Sequence, residues 1–169
     1  MKNIRSMERI DKICAHTLYQ QCMQEIEKAE EDRVYCRHGL SHSLDVARIA
    51  YIMVLEEGYS VKRDLVYAMA LLHDMGRSVQ YQTGEDHHTA GLPIAERILL
   101  DCGFAKEETD ILIEAIGAHQ ELTEESGNAE NPYTALLYRA DKLSRNCFCC
   151  KAADSCYWKE EEKNSGILY

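Results

Sequence analysis

The run Leu65-Val66-Tyr67-Ala68-Met69-Ala70-Leu71-Leu72-His73-Asp74-Met75-Gly76-Arg77 decides how the rest of the chain is read. Val66, Met69, Ala70 and Leu72 leave this segment little polar face, which predicts a central helix buried on most sides, as in a helical bundle. Its end carries two adjacent metal-grade ligands and then a glycine. An ionised carboxylate at the end of so apolar a helix is costly unless a positive charge compensates it. A divalent ion does this directly, because imidazole and carboxylate together suit zinc, iron or manganese.

Working outward, apolar residues recur at helical spacing on both sides of that run. Met7, Ile10, Cys14, Leu18, Cys22 and Ile26 predict one amphipathic helix over about 4–31. His16 sits in it without a neighbouring ligand and is given no role. Cys36-Arg37-His38-Gly39-Leu40-Ser41-His42 opens a second helix with an inward stripe of His42, Val46, Ile49, Ala50 and Met53. Glu56-Glu57-Gly58 ends it, and Ser60 is placed to cap the next. Residues 77–86 have no clean period and contain Thr83-Gly84, which predicts a loop over the site. A fourth helix starts near His88 with Gly91, Ile94, Ala95, Ile98 and Leu99 on one face, and Pro93 is tolerable in its first turns. In the fifth, from about Lys106, Leu112, Ala115 and Ile116 share a stripe with His119; Glu121 to Asn131 then forms a polar acidic loop. The sixth, after Pro132, groups Leu137, Ala140, Asp141 and Ser144, turning Asp141 inward. No alternating strand pattern and no internal repeat is present, so the expected fold is all-α, a single-domain helical bundle over residues 1–169.

Composition narrows the function classes. The 169 residues are enough for one domain with a real core, and 46% hydrophobic with 28% charged residues is ordinary for a globular chain. With 29 acidic against 19 basic residues the formal charge is -10, a field that repels nucleic acid polymers. A small phosphorylated substrate is not disfavoured, since bound divalent ions reverse the field inside one cleft. No apolar run approaches the ~18 residues of a membrane span and residues 1–10 are charged, so a cytoplasmic protein without membrane contact is expected. The eight cysteines are then reduced thiols or metal ligands rather than disulfides. Cys147, Cys150 and Cys156 give a C-x2-C-x5-C spacing that would seed a zinc or iron-sulfur site with a fourth ligand such as Cys36, with packing thiols as the default reading.

Each inward polar residue alone has a bland explanation as a hydrogen-bonded core histidine or a capping aspartate. Together they do not, because burying them all without a shared partner would cost several kcal/mol for each unpaired group, on the order of what mutational data give. The order H…HD…H…H…D, with HSLDVA around His42, LLHDMG around His73 and Asp74, and RADKLS around Asp141, resembles the HD superfamily of metal-dependent phosphohydrolases. The likeness spans a core of about residues 36–145, leaving the N-terminal helix and a Cys-rich extension over 146–169. It implies that His42, His73, Asp74 and Asp141 hold one divalent ion (Fe, Mn, Zn, Co or Mg). It also implies that two further histidines hold a second ion bridged by Asp74. His119 matches one of these; the other is His87 or His88, and His87, four residues before Gly91, is the closer match.

The implied activity is hydrolysis of a nucleotide or other small phosphorylated metabolite by metal-activated water, with Asp74 orienting the water; Arg77, just beyond the doublet, is a candidate phosphate clamp or equally a solvated surface arginine. Lys142 and Arg145 are further candidates to meet an anionic substrate. His38 fits either a partner of the ligands or a surface position at a helix start, the latter being the simpler expectation. The full histidine set is also similar to bacterial HD hydrolases of dinucleoside polyphosphates. The alternatives are a mixed-valent di-iron oxygenase of the same superfamily and a metal-binding regulatory module without turnover.

Overall fold

A computed structural model describes residues 7–118 and 131–169. Among the described residues there is no strand, and the α-helices run α1 Glu8–Ala15, α2 Thr17–Ala29, α3 Leu40–Glu57, α4 Arg63–Leu72, α5 Arg77–Thr83, α6 His87–Asp101, α7 Lys106–Ala118 and α8 Pro132–Leu143. The fold is all-α. α4 is the hub: Leu65, Val66 and all of Ala68 to Leu72 are buried, and α1, α3, α6, α7 and α8 pack around it. No helix among the described residues is long and apolar enough to cross a membrane.

Caps set most of the boundaries. Gly58 (φ 73°) takes the left-handed conformation that ends α3, Asp86 accepts from His88 N and Thr89 N to start α6, and Asn131 accepts from Tyr133 N ahead of Pro132.

Four expectations are corrected. The N-terminal helix expected over about 4–31 is two helices, broken at His16, whose extended backbone and Nδ1 acceptor (Leu18 N, 3.2 Å) make it the cap of α2. Its apolar spacing continues across the break, which is why the sequence reads as one helix. Ser60 does not cap α4; the helix starts later, after Lys62. Residues 77–83 are helical rather than loop: α5 buries only Ser78, so it shows no apolar stripe, and Gly84 (φ 80°) terminates it. His38 is not at the surface but buried.

Candidate metal centre

Four side chains from three places converge at the C-terminal end of α4. His42 comes from the first turn of α3, His73 and Asp74 from the turn after α4, and Asp141 from the last turn of α8. His73 Nε2 lies 3.0 Å from Asp74 Oδ2 and 3.9 Å from Asp141 Oδ1. His42 Nε2 lies 3.1 Å from Asp141 Oδ1 and 3.5 Å from Asp74 Oδ2. Neighbouring ligands of one ion with bonds of about 2.0 to 2.2 Å stand about 3.0 to 3.6 Å apart, the spacing of three of these pairs; His42, His73 and Asp141 offer ligand atoms all within 4.8 Å of one another, and Asp74 adds an oxygen beside both rings.

The hydrogen bonds behind the two rings fix which nitrogen faces inward. His73 Nδ1 donates to the Ala70 carbonyl at 2.8 Å, which leaves Nε2 with its lone pair toward Asp74. Ser144 Oγ donates to the Asp141 carbonyl at 2.6 Å and therefore accepts from His42 Nδ1 at 3.3 Å, so His42 Nε2 also presents a lone pair. Such backing bonds orient imidazole ligands in metal sites. Lone pairs of two neutral rings and two carboxylates meeting in a buried space repel one another unless a cation sits among them. The donor set therefore fits a divalent metal.

The electrostatics say the same. Burial pushes the Asp74 carboxyl up, but His73, His42 and Arg77 hold it well below the usual carboxylate range. Burial opposes charge on His73 as well, yet Asp74 and Asp141 raise its pKa, the mark of a place that attracts a cation. Two arginines brace the carboxylates: Arg77 Nε donates to Asp74 Oδ1 at 2.7 Å, and Arg145 Nη2 donates to Asp141 Oδ1 at 2.9 Å while lying 3.2 Å from His42 Nε2.

His87 approaches from the first turn of α6, with Nε2 3.9 Å from Asp74 Oδ1. It is buried, and among the described residues neither of its ring nitrogens makes a hydrogen bond. Burial, then Arg77 and His88, push its pKa down to about 3, so the ring stays neutral and able to ligate. His88 stacks on it with ring centroids 3.7 Å apart and is only half-buried. Asp86, His87 and His88 do offer three ligand atoms within 4.8 Å of one another, but Asp86 is exposed. The geometry thus brings His87 to Asp74 and leaves His88 further out. Replacing His87 by Ala should lower turnover by about 10² or more, the scale for losing a group that stabilises a transition state, whereas His88→Ala should stay within about tenfold. Initial rates of the two purified variants check this, and equal losses would contradict it. His119 and residues 121–130 of the acidic loop lie outside the described residues.

A glycine contact holds α6 in that position. A Cβ on Gly76 would meet His87 O at 1.9 Å and Gly91 N at 2.5 Å, so the turn after Asp74 lies directly against the first turns of α6. The glycine of LLHDMG permits this approach, which the sequence reading did not identify.

Under the site lies a polar network that also escaped the sequence reading. Glu30, the C-terminal cap of α2, accepts hydrogen bonds from His38 N at 2.7 Å, from His38 Nδ1 and from Tyr81 Oη. His38 in turn stands edge-on to His42, with centroids 5.7 Å apart. Burial pushes the Glu30 carboxyl up, but these hydrogen bonds prevail and bring it down to about 2. Since its folded pKa lies below the unfolded value of about 4.3, its contribution is full above that pH and is lost as pH falls toward 2. The expected loss is on the order of 2 kcal/mol. Urea unfolding at pH 5 and pH 3 should show it in the parent and not in Glu30→Gln; equal pH slopes would refute the assignment.

The centre opens into a cleft of about 770 Å³ lined by Arg33, Arg77, Lys142 and Arg145 together with Asp141 and His38. Tyr157, Trp158, Glu161 and Glu162 of the extension form its far wall. In a chain of formal charge -10 the cleft sets four cations against three carboxylates, Asp141, Glu161 and Glu162, with both glutamates on the far wall.

The sequence matches the HD domain over residues 39–146, more than half of the chain. This protein belongs to the HD family. HD domains bind divalent metals, and membership implies a metal-dependent hydrolase. An uncharacterized protein of Clostridium beijerinckii is 39% identical over 163 residues, covering 96% of this chain and 100% of that protein. Ribonuclease Y of Acetivibrio thermocellus is 30% identical over 129 residues, and ribonuclease Y of Aquifex aeolicus 32% over 145. The HD chain spans 22% and 24% of the length of those two enzymes. In fold it resembles the crystal structure of a predicted HD superfamily hydrolase from an uncultured Thermotogales bacterium. That likeness has a TM-score of 0.59 at 22% identity, over 85% of this chain and 80% of that one.

Proposed function

We propose that this HD protein hydrolyses a phosphoric ester or anhydride of a small molecule, a nucleotide or similar phosphorylated metabolite. The observation that carries the reading is the metal-type donor set His42, His73, Asp74 and Asp141, reached through Asp141 and Arg77 from a cleft where Arg33, Lys142 and Arg145 also stand. Bound divalent ions would supply a water of lowered pKa and an electrophile for a phosphoryl oxygen. The protein's own groups do the rest. Asp74 keeps its carboxylate ionised against burial, so that it can hold and orient a water proton. Arg77 is fixed through Nε by Asp74 and lines the cleft, where its guanidinium meets phosphate oxygens. Arg145 keeps His42 and Asp141 in register.

A cleft of about 770 Å³ matches a small ligand, and the net charge of -10 opposes a long polyanion. The ribonuclease Y relatives favour a second reading, cleavage of RNA. Nucleotides, sugar phosphates, dinucleoside polyphosphates and a short RNA, assayed side by side with added manganese, iron(II) or zinc, distinguish the two. Turnover of small substrates at rates well above that of RNA supports the first reading. Oxygen uptake with a reduced di-iron form would instead support an oxygenase.

A second ion at His87 and His119 is part of the proposal. Metal analysis after anaerobic reconstitution should give two ions per chain at this centre in the parent and one in His119→Ala. One ion in both would make the centre mononuclear.

A further inference from the structure

Residues 146–169 wall the cleft without a core of their own. None of them is buried, and their only helical structure is three 3-10 turns at Cys147–Cys149, Ala153–Ser155 and Glu160–Glu162. Phe148, Tyr157, Ile167 and Leu168 stay exposed. Hydrogen bonds tie the segment at its edges: Tyr35 Oη donates to Ser155 O at 3.1 Å, and Asn164 Nδ2 donates to Lys142 O at 2.9 Å and Arg145 O at 2.7 Å. A short stretch that buries so little is held in natural proteins by disulfides or a metal. All the cysteines here are free thiols.

Four of those thiols gather in one place. Cys36, from the segment before α3, and Cys147, Cys150 and Cys156, from the extension, are all partly buried and line one cleft of about 760 Å³, which the exposed Cys149 also lines. Cys150 N donates to Cys147 O at 3.1 Å, the turn that brings the two ends of a C-x2-C unit together. We propose that Cys36, Cys147, Cys150 and Cys156 hold a thiolate-bound metal centre, a zinc ion or an iron-sulfur cluster, that staples residues 146–169 to the segment before α3.

Four thiolates complete either centre: a tetrahedral structural zinc site or the ligand set of a [4Fe-4S] cluster. Cys149 is not a member, being exposed and donating Sγ–H to Asn146 O at 3.5 Å. Burial pushes the Cys36 thiol up; Arg145 opposes this, and Cys147, Cys150 and Cys156 push it further, a mutual repulsion that a bound cation removes. Among the described residues no three of the sulfurs lie within 4.8 Å of one another. Ligands of one zinc with Zn–S of about 2.3 Å stand about 3.8 Å apart, so a single zinc would need these sulfurs to draw together, whereas the thiolates of a cluster bond different irons and stand further apart. The thiols share no ligand with the HD centre, although His42 lines the same cleft, and neither assignment depends on the other.

The test uses the full chain purified anaerobically, with zinc, iron and acid-labile sulfide measured in the parent, Asp74→Ala, Cys36→Ser, Cys150→Ser and Cys149→Ser. Asp74→Ala, with the HD centre emptied, should keep about four iron and four sulfide per chain, or about one zinc. Cys36→Ser and Cys150→Ser should lose that metal, and Cys149→Ser should keep it. Should a serine variant fail to fold, alkylation of the native parent reads the same thing. Cys14 and Cys149 should label at once, and Cys36, Cys147, Cys150 and Cys156 only after a chelator or acid. Either form of metal upholds the staple, and the iron-to-zinc ratio tells which it is. An Asp74→Ala protein without thiolate-bound metal, or immediate labelling of all four thiols, would overturn it.

Discussion

Asp74→Ala should lose its HD-centre metal and its hydrolytic turnover together, with activity down by at least about 10³. Asp74 is singled out because its two oxygens serve different partners: Oδ2 faces His73 and His42, and Oδ1 receives Arg77 and lies on the side of His87. Removing the carboxylate leaves two imidazole lone pairs and one carboxylate, Asp141, to hold an ion, and frees Arg77 to turn into the cleft as an uncompensated cation. Stability should fall as well, because Arg77, a largely buried partner of Asp74, is left without its counter-charge. Elemental analysis, turnover and thermal unfolding of one preparation check all three. Full metal content with full turnover would make Asp74 a structural residue.

The second large effect is expected at a residue with no functional atom. Gly76→Ala places a methyl group 1.9 Å from the His87 carbonyl oxygen and 2.8 Å from its carbon, both backbone atoms that no side-chain rotation can clear. Gly91 faces it from the other side, where a Cβ would stand 2.9 Å from Gly76 N. The only relief is for α6 to move away from the turn after α4, which carries His87 away from Asp74. A loss of about 3 kcal/mol or more follows from forced overpacking, or a fall in Tm of about 6 to 12 °C for a chain of this size. Turnover well below that Tm should still drop at least tenfold, because the folded variant has a displaced His87. Parent-like Tm and turnover in Gly76→Ala would show that the contact positions nothing.

How much of this was legible in the sequence follows from what each element buries. α3, α4 and α8 carry the candidate ligands as interruptions of strong apolar stripes, so His42, His73 and Asp141 stood out against Val46, Leu72 and Ala140. The HD doublet could be read in the same way, the close approach at its glycine could not, and the fold class came from the helical spacing that surrounds them. α5 could not be read as a helix because it buries a single small residue, Ser78, and a helix without an apolar face has no period. The break at His16 was hidden because apolar residues continue in register across it; only the histidine's capping bond marks it. Glu30 looked like its neighbours Glu25, Glu27 and Glu31, and nothing local shows that it alone is covered by His38 and Tyr81, the latter 51 residues away in sequence. His38 was misplaced because the fold sets it between Glu30 and His42, a placement that its local sequence at a helix start does not show. Choosing between His87 and His88 needed the rotation of α6, which the Gly76 and Gly91 contact sets. The cysteines of the extension showed their spacing in sequence, but only the fold brings Cys36 beside them.

The central claim is that His42, His73, Asp74 and Asp141 hold a metal that this HD protein needs for hydrolysis. The most direct measurement is a metal titration of chelator-treated protein, following bound ion and phosphate release from a small phosphorylated substrate in the same samples. The account predicts no turnover in the metal-free protein and a rate that rises with bound ion and levels off at one or two ions per chain at this centre. A rate that is the same with and without metal would contradict it.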